Sequence, residues 1–231
     1  MLTRGLLYEE MNKMRRELSV MAARVREDLG KAHTILRSGR GDQFKKKDDL
    51  LGGDLLSEIK ESGEIVDGFQ LKIEDMALVL IATQQPVARD LRELVTVFKI
   101  TSSLERIGDY GIHLAKAARK LSARPSFRSM ERIERMAETG QEMLRAAFSA
   151  YLAQDATASR EAAAMDEKID AEHKVLTEEV LAFMKEKPNL VKAAARLLKL
   201  SGYMERLGDH ITNICEGVIY ISEGKHEKLN Q

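Results

Sequence analysis

Residues 190–222 read LVKAAARLLKLSGYMERLGDHITNICEGVIYIS. Their apolar side chains fall at Leu190, Ala193, Leu197, Leu200, Met204, Leu207, Ile211, Ile214, Val218 and Ile221, nine consecutive steps that alternate three and four. Only an α-helix lines up residues at that spacing into one stripe, so this stretch is a long amphipathic helix. Pro188 lies just ahead of the stripe, where a residue without an amide proton suits a helix's first turn.

The same period recurs toward the amino terminus. One stripe runs from Leu7 through Met11, Met14, Leu18, Met21, Val25 and Leu29 to Leu36. A second runs from Leu55 to Leu80 and is broken at Gln84-Gln85-Pro86, whose proline suits the first turn of the third helix. The third holds Leu94, Val97, Ile100, Leu104, Ile107, Leu114 and Leu121 and ends before Arg124-Pro125-Ser126. Two further helices are predicted over roughly 128–154 and 158–186. Composition agrees with an all-α fold: 32% charged and 44% hydrophobic residues, 5% aromatics, 11 Met, 3 Pro and no Trp. Short links favour antiparallel neighbours. The expected architecture is two tandem antiparallel three-helix bundles, residues 1–123 and 124–231, with a single six-helix bundle as the alternative.

The two halves also match residue by residue. Leu104-Glu105-Arg106-Ile107-Gly108-Asp109 aligns with Met204-Glu205-Arg206-Leu207-Gly208-Asp209 at an offset of 100, four of six positions being identical. Pro86 matches Pro188, and Val66-Asp67 matches Ile169-Asp170, at offsets of 102 and 103. Self-similarity at a long period is the mark of a duplicated unit.

Within the repeat, Glu105 and Asp109 are four apart and share a helix face, as do Glu205 and Asp209. Like charges so placed destabilise an isolated helix by a few tenths of a kcal/mol each, so their double occurrence asks for a compensating cation or a reason to tolerate it, and Arg106 and Arg206 could supply part. Asp67, Glu105, Asp170 and Glu205 each directly follow a core residue, which sets all four about 100° round from the apolar stripe on the same side. Carboxylates of the second and third helices of each half are expected to meet at the bundle surface. Asp166 and Asp170 add a second acidic pair opposite Glu205 and Asp209; in the first half Asp67 stands with Glu64 and Glu74, but position 63 is Gly. All-oxygen donors suit Mg, Ca, Mn or ferric iron, and His113 or Asn213 would widen the choice. Gly108 and Gly208, costly in mid-helix, mark places where something approaches closely.

These stretches, with Gln84-Gln85-Pro86-Val87-Ala88-Arg89-Asp90-Leu91-Arg92 and Asn213-Ile214-Cys215-Glu216, resemble the PhoU family of phosphate-uptake regulators along essentially the whole chain. The resemblance implies two three-helix bundles carrying multinuclear iron or zinc clusters on their surface. Carried over, the ligands are Asp67, Glu105 and Asp109 for one cluster and Asp166, Asp170, Glu205 and Asp209 for the other, Gly63 leaving the first one acid short. It implies a non-catalytic negative regulator of phosphate uptake and of the phosphate-starvation response, with a phosphate ABC transporter ATPase subunit and a sensor histidine kinase as partners. A homodimer is usual in the family, and the Met-rich first helix is a candidate for its interface.

With 37 Lys and Arg against 37 Asp and Glu, no positive field is available for nucleic acid. The longest apolar run, Met76 to Ala82, is too short to span a membrane, and no export signal is evident, so the chain is expected in the cytoplasm, reaching the inner membrane only through partners. Lone Cys215 suits a reducing compartment. A di-iron carboxylate oxidase is the rival reading, since helical bundles host such centres on ExxH motifs. Only Glu223-Gly224-Lys225-His226 fits that motif, and Asp170-Ala171-Glu172-His173 offers one DxxH, with His173 on the apolar stripe. Lys45-Lys46-Lys47 reads as a solvent-facing run, and the polar tail from Gly224 to Gln231 is expected to fray.

Overall fold

The structure, a computed structural model, describes residues 2–38, 46–120 and 127–230. The expected boundary at 123/124 lies outside the described residues, as do the side chains of Lys45-Lys46-Lys47. Seven α-helices follow in order: α1 (Leu2–Ser38), α2 (Lys46–Gln84), α3 (Ala88–Arg119), α4 (Phe127–Ala153), α5 (Ala156–Ala163), α6 (Asp166–Glu186) and α7 (Val191–Glu223), with a 3-10 turn at Pro188–Leu190. No strand occurs among the described residues. α1, α2 and α3 pack on one another, and α4, α5 and α6 pack against α7, giving two three-layered bundles as expected from the repeat.

Two helix boundaries differ from the periodic reading. The helix expected over 158–186 is divided at Ala164-Met165, where the Met165 amide bonds the Ala162 carbonyl at 3.2 Å and the Lys168 amide bonds that of Met165 at 3.1 Å. These i to i+3 bonds tighten the ladder for one turn, which re-aims the chain so that Asp166 opens a fresh helix. Asp155 starts the short α5, its Oδ1 accepting from the amides of Thr157 and Ala158 at 2.8 and 3.1 Å. Pro86 lies ahead of α3, not in its first turn, because Val87 is the extended residue that caps that helix.

The two bundles join through antiparallel packing of α3 on α7 and through contact of α1 with α4. Arg92 near the start of α3 donates to the Ile221 carbonyl near the end of α7 at 3.0 Å, Lys99 pairs with Glu216 at 2.8 Å, and the Tyr110 ring lies 6.0 Å from that of Tyr203. Apolar core runs through both bundles and across this seam. Met11, Met14 and Met21 are fully buried inside it. The apolar stripe on α1, its methionines included, therefore faces the chain's own core.

One charged group is buried at the seam. Glu93 on α3 is 1% exposed. It accepts from Arg15 Nε of α1 at 2.6 Å, from Gln154 Nε2 at 2.7 Å and from the Tyr151 hydroxyl of α4 at 3.3 Å. Removing a carboxylate from water costs several kcal/mol unless donors replace the water, and here an ion pair and two neutral donors do so. Burial, with the Glu93 charge behind it, pushes the Tyr151 phenol well above its usual range. The network ties α1, α3 and α4 at one point.

Candidate functional site

The second acidic group is assembled where α6 begins beside the middle of α7. Asp166, in the first turn of α6, is 5% exposed. Its Oδ2 accepts from Thr212 Oγ1 at 3.2 Å, while Oδ1 accepts no hydrogen bond from any described residue. Oδ1 lies over Gly208: a methyl group at that position would overlap it, and the Asp166 Cγ would stand 3.0 Å away. The mid-helix glycine of α7 thus makes room for a carboxylate, which answers why helix propensity is sacrificed there.

Asp166, Asp170, Glu205 and Asp209 line a pocket of about 550 Å³ together with Arg160 and Asn230. Burial, reinforced by Asp170 and more weakly by Asp209 and Glu205, pushes the Asp166 carboxyl up to about 7 against the opposing Thr212 hydrogen bond. Asp209 is raised too, by burial first and then by Glu205 and Asp170, with Arg206 opposing. Both shifts share a first cause, removal of the carboxylate from water, and a second, the neighbouring carboxylates of the pocket. Arg160 does not offset them, because its guanidinium is spent on Glu223 at 2.9 Å and Glu227 at 2.6 Å. Asn230 Nδ2 donates to Asp209 Oδ1 at 2.7 Å.

A cation fits this donor set. The pocket holds a buried carboxylate oxygen lacking a described donor, four further carboxylates once Glu167 is counted, and no thiol or imidazole, which is the chemistry of a hard ion. Among the described residues no three His, Cys, Asp or Glu side chains already stand gathered as a finished coordination shell.

In the first half, Asp109 and Asp67 both lie within electrostatic reach of Glu105. Burial raises the Glu105 carboxyl, and Asp109 and Asp67 add to the rise while Arg106 opposes it from 3.5 Å. Glu64 is exposed, and Glu74 is engaged by Gln70 at 2.8 Å and Thr101 at 3.0 Å. Where the second half has Asp166, the first has Gly63, and a Cβ there would meet Ile112 Cδ1 at 3.0 Å. Gly108 has only ordinary contact nearby, Val25 Cγ2 at 3.8 Å from an added Cβ, so the close approach expected at both repeat glycines holds at Gly208 alone.

Residues of the rival oxidase reading are occupied otherwise. His173 Nδ1 lies 2.7 Å from Ser201 Oγ. Gly224 ends α7 with φ 73, so Glu223 and His226 do not share a helical face, and His226 stacks on Tyr220 at 4.1 Å. His113 stacks on Tyr203 at 5.2 Å in the α3–α7 seam. The tail itself departs from expectation: residues 225–230 are docked along α7, held by Arg160–Glu227, by the Leu229 amide on Glu216 at 3.1 Å and by Asn230 on Asp209. Sequence reasoning missed this because every one of these partners is distant in the chain and none follows a helical period.

Comparison with known proteins agrees with this architecture. The family profile described as "PhoU domain" matches residues 42–118 and 133–218. A phosphate-specific transport system accessory protein PhoU homolog of Clostridium acetobutylicum is 34% identical over 173 residues, 74% of this chain and 79% of that protein. A protein of the same description from Aquifex aeolicus is 28% identical over 228 residues, covering 97% of this chain and 98% of its own. The crystal structure of PhoU from Pseudomonas aeruginosa superposes with a TM-score of 0.84 at 26% identity, covering 94% of this chain and 99% of the other. That of the phosphate transport system regulatory protein PhoU from Streptococcus pneumoniae gives 0.83 at 24%, covering 96% and 99%, a likeness of fold.

Proposed function

This chain belongs to the PhoU family, and from that premise we propose that it is a non-catalytic accessory protein of phosphate-specific transport that represses phosphate uptake and the phosphate-starvation response. It works by contact: with the ATPase subunit of the phosphate transporter and with the sensor histidine kinase, from the cytoplasmic side of the membrane. No described helix is long and apolar enough to cross a membrane. We further propose that the acidic groups hold iron, zinc or another divalent cation, through Asp166, Asp170, Glu205 and Asp209 in the second half and Asp67, Glu105 and Asp109 in the first.

The observation that carries the cation reading is Asp166. A carboxylate buried to 5% exposure, with one oxygen lacking a described donor and four other acids in the same pocket, is a costly arrangement for an isolated protein. When bound, a cation supplies positive charge that stabilises all four carboxylates at once and fixes α6 against α7. The chain's own groups do the positioning: Thr212 orients Asp166 through Oδ2, Gly208 leaves the space, and Arg206 offsets part of the charge on Asp209.

Two measurements test these readings separately. Deleting the gene should derepress phosphate-responsive transcription in phosphate-rich medium; unchanged repression would overturn the regulatory assignment. Elemental analysis of purified protein should lose metal when Glu205→Ala is combined with Asp209→Ala, whereas equal metal content in the two proteins would remove those residues as ligands.

A further inference from the structure

We propose that residues 224–230 are part of the second cation site, with Asn230 as an additional oxygen ligand held there by the contacts that dock this segment on α5 and α7. This rests on the reading that the second acidic pocket takes a cation.

The tail turns back on itself at Gly224, whose left-handed φ of 73 caps α7 while its amide bonds the Tyr220 carbonyl at 2.9 Å. From there it descends α7 in order. His226 stacks on Tyr220 with rings 4.1 Å apart and 12° from parallel. Glu227 is held by Arg160 at 2.6 Å. The Leu229 amide bonds Glu216 at 3.1 Å while its side chain packs against the core. Asn230 then reaches Asp209, and both Leu229 and Asn230 form part of the pocket wall.

From Glu223 back to Asp209 the helix rises about 21 Å, and the seven residues from Gly224 to Asn230 span about 23 Å when extended, so the tail is long enough to reach Asp209. The contacts on Tyr220, Arg160 and Glu216 hold Asn230 in place.

Chemistry makes Asn230 suited to the role. Its carboxamide carries a donor and an acceptor on one planar group, and a half-turn about the last side-chain bond exchanges them. Facing bare carboxylates, the NH2 donates to Asp209, as observed. Facing a cation, the same group turned over offers a neutral oxygen. Hard cations of the calcium and magnesium type take six or more oxygens, and four carboxylates already bring a surplus of charge. A neutral oxygen raises the ligand number without adding to that surplus. Cation binding and tail docking should then reinforce each other, as thermodynamic linkage requires of two events that share a contact.

The test uses Mn²⁺ and the full chain. Mn²⁺ titrated calorimetrically into wild type, Asn230→Leu and a chain ending at Gly224 should bind about tenfold more weakly to both variants, the loss typical of removing a group that supports a metal site. In wild type, Mn²⁺ should slow amide hydrogen exchange of residues 225–230, and Glu205→Ala with Asp209→Ala should abolish that protection. Equal Mn²⁺ affinity in wild type and Asn230→Leu, or exchange in the tail that ignores Mn²⁺, overturns the tail's role while leaving the pocket's cation reading intact. Absence of Mn²⁺ binding to wild type overturns both.

Discussion

Asp166 and Thr212 in one half stand where Gly63 and Ile112 stand in the other, and each pair is matched within itself. In the second half a buried acid needs a donor and finds the Thr212 hydroxyl at 3.2 Å. In the first the acid is absent, and Ile112 Cδ1 comes within 3.0 Å of where its Cβ would begin. Polar beside polar and apolar beside apolar is what burial demands of any close pair. Duplication therefore left two related scaffolds with unlike interiors at one spot: one a pocket lined by Asp166, Asp170, Glu205 and Asp209 among its acids, the other a group of three over a filled gap.

The sharpest way to probe this difference is to neutralise the acid that only the second half possesses. Asp166 titrates near 3.8 when free and near 7 in the fold. Its folded form holds the proton more tightly, so the contribution to stability is fully present below pH 3.8 and is lost as pH rises through 7. In metal-free protein, Asp166→Asn should thus raise unfolding free energy by about 4 kcal/mol at alkaline pH and by almost nothing near pH 4. Urea denaturation at the two pH values reads it directly; an equal effect at both would mean that ionisation of Asp166 is not what strains the fold.

Alanine at the repeat glycines should give effects of opposite sign. Gly208→Ala forces a methyl group into Asp166 Oδ1 and is expected to cost about 2 kcal/mol, as overpacking does. Gly108→Ala adds a methyl at ordinary contact distance from Val25 and should gain about 0.5–1 kcal/mol from helix propensity. Thermal unfolding of the two variants in chelator decides; a gain at both positions would contradict the placement of Asp166. Converting the first half is the smallest step. In a background silenced by Glu205→Ala and Asp209→Ala, Gly63→Asp combined with Ile112→Thr should strengthen Mn²⁺ binding at the first half by about tenfold, roughly 1.4 kcal/mol. No gain would show that the two missing groups do not account for the difference between the halves.

Much of this was legible in the chain. Long stripes at helical spacing announce α1, α2, α3, α4 and α7, and the LERIGD-like repeat announces both acidic groups, because these depend on neighbours three or four residues away. What periodicity could not reveal depends on partners far off in sequence. Glu93 is adjacent to the core residue Leu94, and nothing local indicates that Arg15, Tyr151 and Gln154 will converge on it. The break at Ala164-Met165 leaves no mark because alanine and methionine both favour helix. Burial of Asp166 had a trace that is plain only in retrospect: a polar Thr212 aligned with an apolar Ile112.

The antiparallel seam carries one more implication. It sets Arg106 of the first repeat close enough to His210, the neighbour of Asp209, to help burial depress that imidazole's affinity for protons. Charge placed in either half is accordingly felt in the other. Two ions arriving in succession would meet different fields, so stepwise constants should differ even if each cluster, isolated, were a faithful copy of its twin.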